Sequence, residues 1–270
     1  MLLRGRRLSI IGAGQMGEAL VRGFIQSGVL EAEQIKLSDV NVERLESLKA
    51  KYQANFTTDN HEAVKDSDII LLAVKPQQIE QVLTETKNLF SEDKLVISIA
   101  AGVTTKKINN LIGKRIAVIR VMPNTPALVG QGMSVISRGK YASDEAVKIA
   151  LLLFSSIGEV IELSEELQNQ ATAISGSGPA YFFLMVESLI EAGVRAGLEE
   201  DVAQKLVVQT MAGSAALLQR TGKKADELRE MVTSPGGTTE AALRVFSKRE
   251  FRYIVQEAVN AAIKRAEELA

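Results

Sequence analysis

Three closely spaced glycines between an apolar run and an amphipathic segment constrain the fold of this chain more than any other feature. The apolar run covers residues 8–11, Gly12-Ala13-Gly14-Gln15-Met16-Gly17 follows it, and residues 18–27 have helical spacing of apolar side chains. In such a sequence the first glycine makes a tight turn, the second leaves room for a pyrophosphate, and the third lets the helix pack on the strand. The pattern therefore predicts a strand, a turn and a helix whose N-terminus binds a dinucleotide phosphate.

Strand and helix patterns alternate up to residue 163, and only helical patterns follow. The predicted strands are 8–11, 34–38, 68–74, 95–99, 115–120, 132–137 and 158–163, and the predicted helices between them include 18–27, 42–52, 77–89 and 144–156. Such alternation is typical of a doubly wound parallel α/β sheet of the Rossmann type. We therefore predict a dinucleotide-binding domain over residues 1–163 and an all-helical dimerisation and substrate domain over residues 164–270.

Composition excludes several classes of function. The chain has no cysteine and a single histidine, His61. Disulfides, thiolate chemistry and sites that need several imidazoles are therefore excluded, and we expect no bound metal. The 32 lysines and arginines balance the 33 aspartates and glutamates without forming a basic stripe, so we expect no nucleic-acid partner.

No segment has the pattern of a signal peptide or a membrane span. The apolar run behind the arginines at the N-terminus is interrupted at once by Gly12 and Gly14. The most apolar later stretch, 180–196, contains Glu187 and Glu191 and is too short between charges to cross a bilayer. We expect a cytoplasmic protein without membrane contact.

Ser38 and Asp39 end the second predicted strand, where a side chain reaches the adenosine ribose in dinucleotide-binding sheets. An acidic group there accepts hydrogen bonds from both ribose hydroxyls and repels a 2′-phosphate, which favours NADH over NADPH. Arg44 or Lys36 would offset that repulsion if either points into the pocket. The alternative interpretation is that Asp39 caps a helix beginning near Asn41.

The next two strand ends supply further candidate cofactor contacts, because ligands bind at the carboxyl edge of a parallel sheet. Ala73-Val74-Lys75-Pro76 ends one strand, and Lys75 is a candidate for the cofactor ribose or phosphate. Lys75 can equally be a solvated lysine before a proline-started helix. Ile99, Ala100 and Ala101 end the following strand with small side chains that would leave space for a nicotinamide ring.

A second glycine loop, at residues 232–239, separates two helical patterns near the C-terminus. Its sequence is Val-Thr-Ser-Pro-Gly-Gly-Thr-Thr, so free backbone N–H groups precede a helix and hydroxyl groups lie beside them. This arrangement can hold a substrate carboxylate and a neighbouring polar atom. It can equally be a plain helix-capping turn.

The glycine loop and five other segments together resemble the pyrroline-5-carboxylate reductase family, and the resemblance extends over nearly the whole chain. The segments are 11–16, 73–76, 98–103, 122–126, 175–181 and 228–243. The resemblance implies an enzyme that reduces 1-pyrroline-5-carboxylate to L-proline, the last step of proline biosynthesis, with NADPH or NADH. It also implies a homodimer with the active site near the dimer interface.

Roles for individual residues follow from the same resemblance. Thr239 is implied to lie beside the substrate nitrogen, Thr238 and Gly237 to hold the carboxylate, and Ser234 to line the loop, so Thr239 and Ser234 are the catalytic candidates. Asn60 matches a residue that contacts the cofactor ribose. The chain departs from the family at Asp39, where relatives have serine, threonine or asparagine, and for that reason we expect use of both cofactors with NADH favoured, in contrast to the family's usual preference for NADPH.

Imine reduction suits a chain with so few imidazoles. Hydride transfer to a protonated imine neutralises charge without forming an alkoxide, so positioning supplies most of the rate and no strong general acid is required. One alternative is a two-domain hydroxyacid dehydrogenase, which needs a lysine or histidine where this chain has Tyr181, Phe182 and Phe183. Another is a non-catalytic dinucleotide sensor that binds the cofactor without turnover.

Two features of the C-terminal half predict a homodimer. The small residues at 212–216 let another helix backbone approach closely, and residues 174–196 are strongly apolar. An ordinary helix pair within one chain is the alternative for the small-residue segment. Whether dimers assemble further into a ring stays open at this point.

Overall fold

The computed structural model describes residues 2–269, so Met1 and Ala270, the outer limits of the predicted domains, lie outside it. Internal contacts divide the chain into two units. The first unit contains the residues up to Ser177 together with those from Ala262 onward. The second unit contains Gly178 to Ala261. The boundary predicted between residues 163 and 164 follows the last strand and stays a prediction.

One eight-stranded sheet organises the first unit. The strands are β1 (Leu8–Ile11), β2 (Ile35–Ser38), β3 (Asn55–Thr57), β4 (Ile69–Leu72), β5 (Leu95–Ser98), β6 (Ala117–Met122), β7 (Gly132–Arg138) and β8 (Gly158–Glu162). Their order is β3-β2-β1-β4-β5-β6-β7-β8, which is the doubly wound arrangement expected from the sequence.

Seven α-helices belong to the described part of this unit that precedes Ser177. They are α1 (Gln15–Gln26), α2 (Val42–Lys49), α3 (Asn60–Lys65), α4 (Ile79–Thr86), α5 (Thr105–Ile112), α6 (Asp144–Phe154) and α7 (Gln168–Ala171), and a π-helical turn at Thr172–Gly176 follows them. Helices α1, α2 and α6 cover one face of the sheet, and α3, α4 and α5 cover the other.

The sheet is buried on both faces, and this fixes its register. Ile10 and Leu71 point into one core cluster, whereas their neighbours Ile11 and Leu72 point into the other. Each such fully buried side chain contributes roughly 1.5–3 kcal/mol. The carboxyl ends of β1, β2, β4 and β5 are thereby held at one edge of the sheet.

The sheet is not parallel throughout, in contrast to the expectation from the sequence. β7 runs antiparallel to β6, and β8 is parallel to β7. The connection 123–131 contains only a 3-10 turn at Thr125–Val129, and a parallel crossover needs a dozen or more residues. The chain therefore has to reverse direction at this point. Strand β3 was also absent from the predicted set, because it is short and Phe56 is its one large apolar residue.

The second unit is helical, as predicted for this part of the chain. It contains α8 (Gly178–Arg195), α9 (Glu200–Thr221), α10 (Ala225–Met231), α11 (Thr238–Lys248) and the first part of α12 (Phe251–Leu269). Helices α8 and α9 approach closely at Gly193, where an added Cβ would lie 3.2 Å from Cβ of Ala203.

Most apolar side chains of this second unit are exposed. Ala203 is the one buried apolar residue between 178 and 261, whereas Phe182, Phe183 and Leu184 are 62%, 64% and 63% exposed. The helical segment Glu165–Arg195 is long and apolar enough to cross a membrane by length and composition, although a core helix of a folded protein passes the same test. An exposed apolar surface of this kind is normally covered by another protein surface or by a ligand.

Candidate active site

The glycine turn after β1 leaves an unobstructed helix N-terminus. Gly12 has φ +111°, and a Cβ there would lie 2.7 Å from the carbonyl carbon of Ala73, so no side chain fits. Gly14 is the N-cap of α1 and provides no side-chain cap, and a Cβ on Gly14 would meet no atom within 4 Å. Unpaired N–H groups of α1 therefore face open space, which is the geometry that binds a pyrophosphate.

The rest of the fingerprint packs α1 against the sheet. A Cβ on Gly17 would overlap the carbonyl oxygen of Gly12, so this glycine permits the close approach of helix and strand. Gln15 is exposed in the first turn, and Met16 is partly buried against the core. Each predicted role of the fingerprint thus has a physical counterpart in the contacts of this turn.

Asp39 is bound to the glycine turn. Its Oδ2 accepts a hydrogen bond from the Ala13 N–H at 2.6 Å, and its Oδ1 accepts one from the Asn41 N–H at 2.9 Å. The N-cap of α2 is Asn41, whose side chain accepts a hydrogen bond from the Arg44 N–H. The alternative role of Asp39 as the helix cap is therefore wrong, because the side chain of Asn41 fills that place.

Arg44 is the basic residue that contacts this turn. Its Nε donates to the carbonyl oxygen of Ala13 at 2.8 Å, and its Nη2 binds Glu18 at 2.5 Å. Burial opposes ionisation of Glu18, but hydrogen bonds from Lys51 and Arg44 hold the pKa of this carboxyl below its usual range. The second basic candidate, Lys36, is paired instead with two carboxylates of the α3 segment, at 2.9 and 3.1 Å.

Ser38 and Asn60 form a fixed hydrogen-bonded pair beside Asp39. The buried Ser38 hydroxyl donates to Oδ1 of Asn60 at 2.7 Å, and Nδ2 of Asn60 donates to Glu85 at 2.7 Å. Asn60 is the first residue of α3, and Asp59 caps that helix by accepting from the His61 N–H. His61 itself is exposed, with its ring 3.1 Å from Asp59.

The remaining predicted cofactor residues extend the same edge of the sheet. Ala73 N–H donates to Ile11 O at 2.8 Å, and Ile99 N–H donates to Leu72 O at 3.0 Å, so these strand ends are direct neighbours. Val74 is partly buried, Lys75 is exposed, and Pro76 opens a 3-10 turn. Ala100 is buried and Ala101 is partly buried, so little side-chain bulk stands there.

Three residues fix the surroundings of this edge: Asn124, from the segment 122–126 that resembles the family, and Arg120 and Glu165, which sequence reasoning missed. Asn124 donates to Ser175 O at 3.0 Å and accepts from the Met133 N–H at 2.8 Å, which attaches the π-helical turn to the connection before β7. Arg120 and Glu165 form a largely buried ion pair. A charged residue within the apolar strand Ala117–Met122 was the available signal for Arg120, whereas no local pattern marked its partner.

The second glycine loop lies in the helical unit, directly before α11. Gly236 has φ +73°, and its N–H donates to Glu240 at 2.8 Å. Gly237 is the N-cap of α11 without a side-chain cap, so N–H groups at the start of Thr238–Lys248 are unpaired among residues 2–269. Thr239 is partly buried, and Ser234 and Thr238 are exposed. The loop can therefore hold an anion, next to three hydroxyl groups.

The doubly wound sheet and its glycine turn define the class of Rossmann-type proteins. Two family descriptions match the sequence: "Pyrroline-5-carboxylate reductase dimerisation" over residues 165–269 and "NADP oxidoreductase coenzyme F420-dependent" over residues 7–102. The pyrroline-5-carboxylate reductase of Arabidopsis thaliana is 39% identical over 265 residues, which cover 98% of this chain and 95% of that protein. The chain belongs to the pyrroline-5-carboxylate reductase family.

Solved structures agree with this assignment. A pyrroline-5-carboxylate reductase from Coxiella burnetii superposes with a TM-score of 0.93 at 37% identity, and 98% of each chain is covered. The Plasmodium falciparum pyrroline carboxylate reductase, solved with NADP bound, superposes with a TM-score of 0.88 at 34% identity, again with 98% of each chain covered. The fold expected from the sequence is confirmed over almost the full length.

Proposed function

We propose that this chain reduces 1-pyrroline-5-carboxylate to L-proline with NADPH or NADH, the last step of proline biosynthesis. The observation that carries the proposal is the N-terminus of α1, which has no side-chain cap because its N-cap is Gly14. This site occurs in a chain that is 39% identical to a pyrroline-5-carboxylate reductase along its length. That cradle accepts a dinucleotide phosphate, and the family supplies the substrate.

Three groups of residues at the sheet edge would each hold a different part of the cofactor. The backbone of residues 11–17 would bind the pyrophosphate, because a side chain at Gly14 would occupy otherwise open space. Ser38, Asp39 and Asn60 would surround the adenosine ribose, with Lys75 and its neighbours 73–76 nearby. Ile99, Ala100 and Ala101 would border the nicotinamide, which supplies the hydride when bound.

Cofactor preference would depend on the balance between Asp39 and Arg44. Asp39 brings a carboxylate to the ribose region, while Arg44 brings a guanidinium to the same turn. Arg44 is already paired with Glu18, so its charge is partly neutralised. We therefore expect the chain to use both cofactors and to favour NADH.

The loop before α11 would bind the substrate. Unpaired N–H groups at the start of the helix, with Gly237 and Thr238, would hold the carboxylate. The Thr239 hydroxyl would orient the ring nitrogen, and Ser234 would line the loop beside it. A threonine hydroxyl suits this role because reduction of a protonated imine needs orientation of the nitrogen and no strong acid.

A homodimer would cover the exposed apolar face of the helical unit. With Ala203 as its one buried apolar side chain between 178 and 261, the unit has too little core to be stable alone. A second copy is the occupant favoured by the family description, and no lipid or nucleic acid is then needed. We place such a dimer, which can assemble further into a ring, in the cytoplasm.

Oxidation of NADH and of NADPH, followed at 340 nm with 1-pyrroline-5-carboxylate, tests the activity directly. The expected result is turnover with stoichiometric formation of proline. Cofactor binding without turnover would identify the dinucleotide sensor instead, and reduction of NAD+ or NADP+ by hydroxyacids, without reduction of the imine, would identify the dehydrogenase. Light scattering at micromolar concentration tests the dimer, and a monomeric mass would contradict it.

A further inference from the structure

Glu165 connects two segments that are far apart in sequence. Its Oε1 accepts a hydrogen bond from the Thr105 N–H at 2.8 Å, and its Oε2 accepts one from the Thr105 hydroxyl at 2.7 Å. Both carboxylate oxygens are therefore engaged by one residue, the first of α5. A two-point contact of this kind fixes direction as well as distance.

Arg120 holds this carboxylate from within the sheet. Its side chain is 5% exposed, and Nη1 lies 3.6 Å from Oε1 of Glu165. Arg120 pairs in register with Ser98 of β5 and Ser137 of β7, so its backbone is set by both neighbouring strands. Burial lowers the pKa of Arg120, and Glu165 opposes that effect, so the ion pair keeps the guanidinium charged.

The segment between Ser98 and Thr105 is the one in which the nicotinamide would lie. It is attached at its start, where Ile99 N–H donates to Leu72 O at 3.0 Å and Ala100 N–H reaches the Ser98 hydroxyl at 3.3 Å. At its far end the attachment to Glu165 comes from a different part of the chain. The loop is therefore held by hydrogen bonds at both of its ends.

We propose that Glu165 is a positioning residue for hydride transfer, holding residues 99–105 through Thr105 while Arg120 fixes its own carboxylate. The inference rests on the proposed function, because it takes the nicotinamide to border Ile99, Ala100 and Ala101. Hydride transfer is sensitive to donor–acceptor distance, and a displacement of about 1 Å can cost a hundredfold in rate. The side-chain partners of Glu165 are Thr105 and Arg120, so it would act through the loop.

The experiment compares Glu165→Gln with Glu162→Gln. Glu162 and Glu165 line one cavity, and Glu162 binds Arg138 at 2.9 Å but has no hydrogen bond to the 99–105 segment among the described residues. Hydrogen exchange of the cofactor-free proteins reports on the loop itself. Emission of bound NADH reports on the nicotinamide surroundings, and kcat with a 4-deuterated cofactor reports on the chemical step.

For Glu165→Gln we expect faster exchange over residues 99–105, a shifted NADH emission, and a kcat lowered about tenfold with a larger deuterium isotope effect. Cofactor Kd should stay within about twofold, since pyrophosphate and ribose contacts are untouched. Glu162→Gln should match the wild type in exchange, emission, kcat, isotope effect and Kd. Unchanged exchange in Glu165→Gln, or faster exchange with unchanged emission and kcat, would overturn the positioning role.

A failure of the proposed function gives a different pattern. In that case the wild-type protein itself shows no turnover with 1-pyrroline-5-carboxylate, while exchange and NADH emission still report on the loop. A purely structural role for Glu165 would lower the unfolding temperature without altering emission or the isotope effect of the folded enzyme. Each result therefore supports or overturns one proposal separately from the other.

Discussion

The carboxylate of Asp39 lies 2.6 Å from the main-chain nitrogen of Ala13, so the end of the second strand is tied to the glycine turn of the first. Each carboxylate oxygen accepts one backbone N–H, from Ala13 or from Asn41, and retains a second lone pair. Asp39 can therefore order the turn and still accept hydrogen bonds from ribose hydroxyls. In the proposed ribose site its charge would lie beside a 2′-phosphate.

Replacement of Asp39 by serine is expected to shift cofactor preference toward NADPH. Loss of the carboxylate removes repulsion of a 2′-phosphate, and the ratio of kcat/KM values should move by ~1–2 kcal/mol, because solvent and salt screen the charge. The control is Asn41→Ala, which removes the α2 cap, costs about 1 kcal/mol of unfolding free energy and leaves the ratio unchanged. Steady-state kinetics with both cofactors decide; a constant ratio in Asp39→Ser would contradict the ribose role.

Gly14→Val should abolish cofactor binding in a protein that still folds. A Cβ at Gly14 meets no protein atom within 4 Å, so a valine side chain would extend into the proposed pyrophosphate space. We expect Kd for NADH and NADPH to rise at least ~100-fold, a loss of roughly 2.7 kcal/mol or more. Gly12→Ala is the contrasting variant, since φ +111° and the contact with Ala73 should destabilise the fold itself. Unaltered dissociation constants in folded Gly14→Val would exclude this placement.

These two glycines also show how far sequence alone could go. Their spacing between a strand and a helix predicted the turn and its place at the edge of a sheet, because those depend on local geometry and periodicity. The ion pair of Arg120 and Glu165 could not be predicted, since its partners are brought together by tertiary packing. The role of Asp39 could not be decided from the sequence for a similar reason. Asn41, two residues further along, is of an equally suitable residue type to cap α2, and only the structure shows that Asn41 is the cap.

Glu18 should make the stability of the cofactor domain depend on pH. Its pKa is lowered in the folded state, so its contribution is present above the unfolded value of roughly 4.3 and is lost as pH falls through the folded value. Glu18→Gln should cost about 1–2 kcal/mol of unfolding free energy at pH 7 and progressively less below pH ~4. Urea unfolding at a series of pH values measures this difference in unfolding free energy. The control is Glu46→Gln, which removes an exposed pair with Lys49 and should change the unfolding free energy little at any pH. An equal loss at every pH would show that packing, not charge, is responsible.

Glu250 adopts a backbone conformation that costs stability. It has φ +53° between α11 and α12, the left-handed region that residues with a Cβ rarely occupy. Glu250→Gly should therefore raise the unfolding free energy by about 1 kcal/mol, whereas Glu250→Ala keeps the strain and should not. Thermal unfolding of the two variants provides the comparison. A gain of equal size in both would point to loss of the charge instead.

Thr239→Ala should lower the catalytic rate with 1-pyrroline-5-carboxylate and leave cofactor affinity nearly unchanged. Thr239 is partly buried in the first turn of α11, and its hydroxyl donates no hydrogen bond to any residue among 2–269. It is thus available to the substrate nitrogen, and its loss should cost about 1–2 kcal/mol of transition-state stabilisation, or roughly 5- to 30-fold in kcat/KM.

Thr239→Ser keeps the hydroxyl and should retain most of the rate, whereas Thr233→Ala, which removes a hydroxyl bonded to Arg229 O, should leave the chemistry unaffected. Kinetics of the three variants with saturating NADH, alongside direct titration of NADH, separate the effects. Full activity in Thr239→Ala would remove Thr239 from the site and leave the backbone of the loop as the substrate contact.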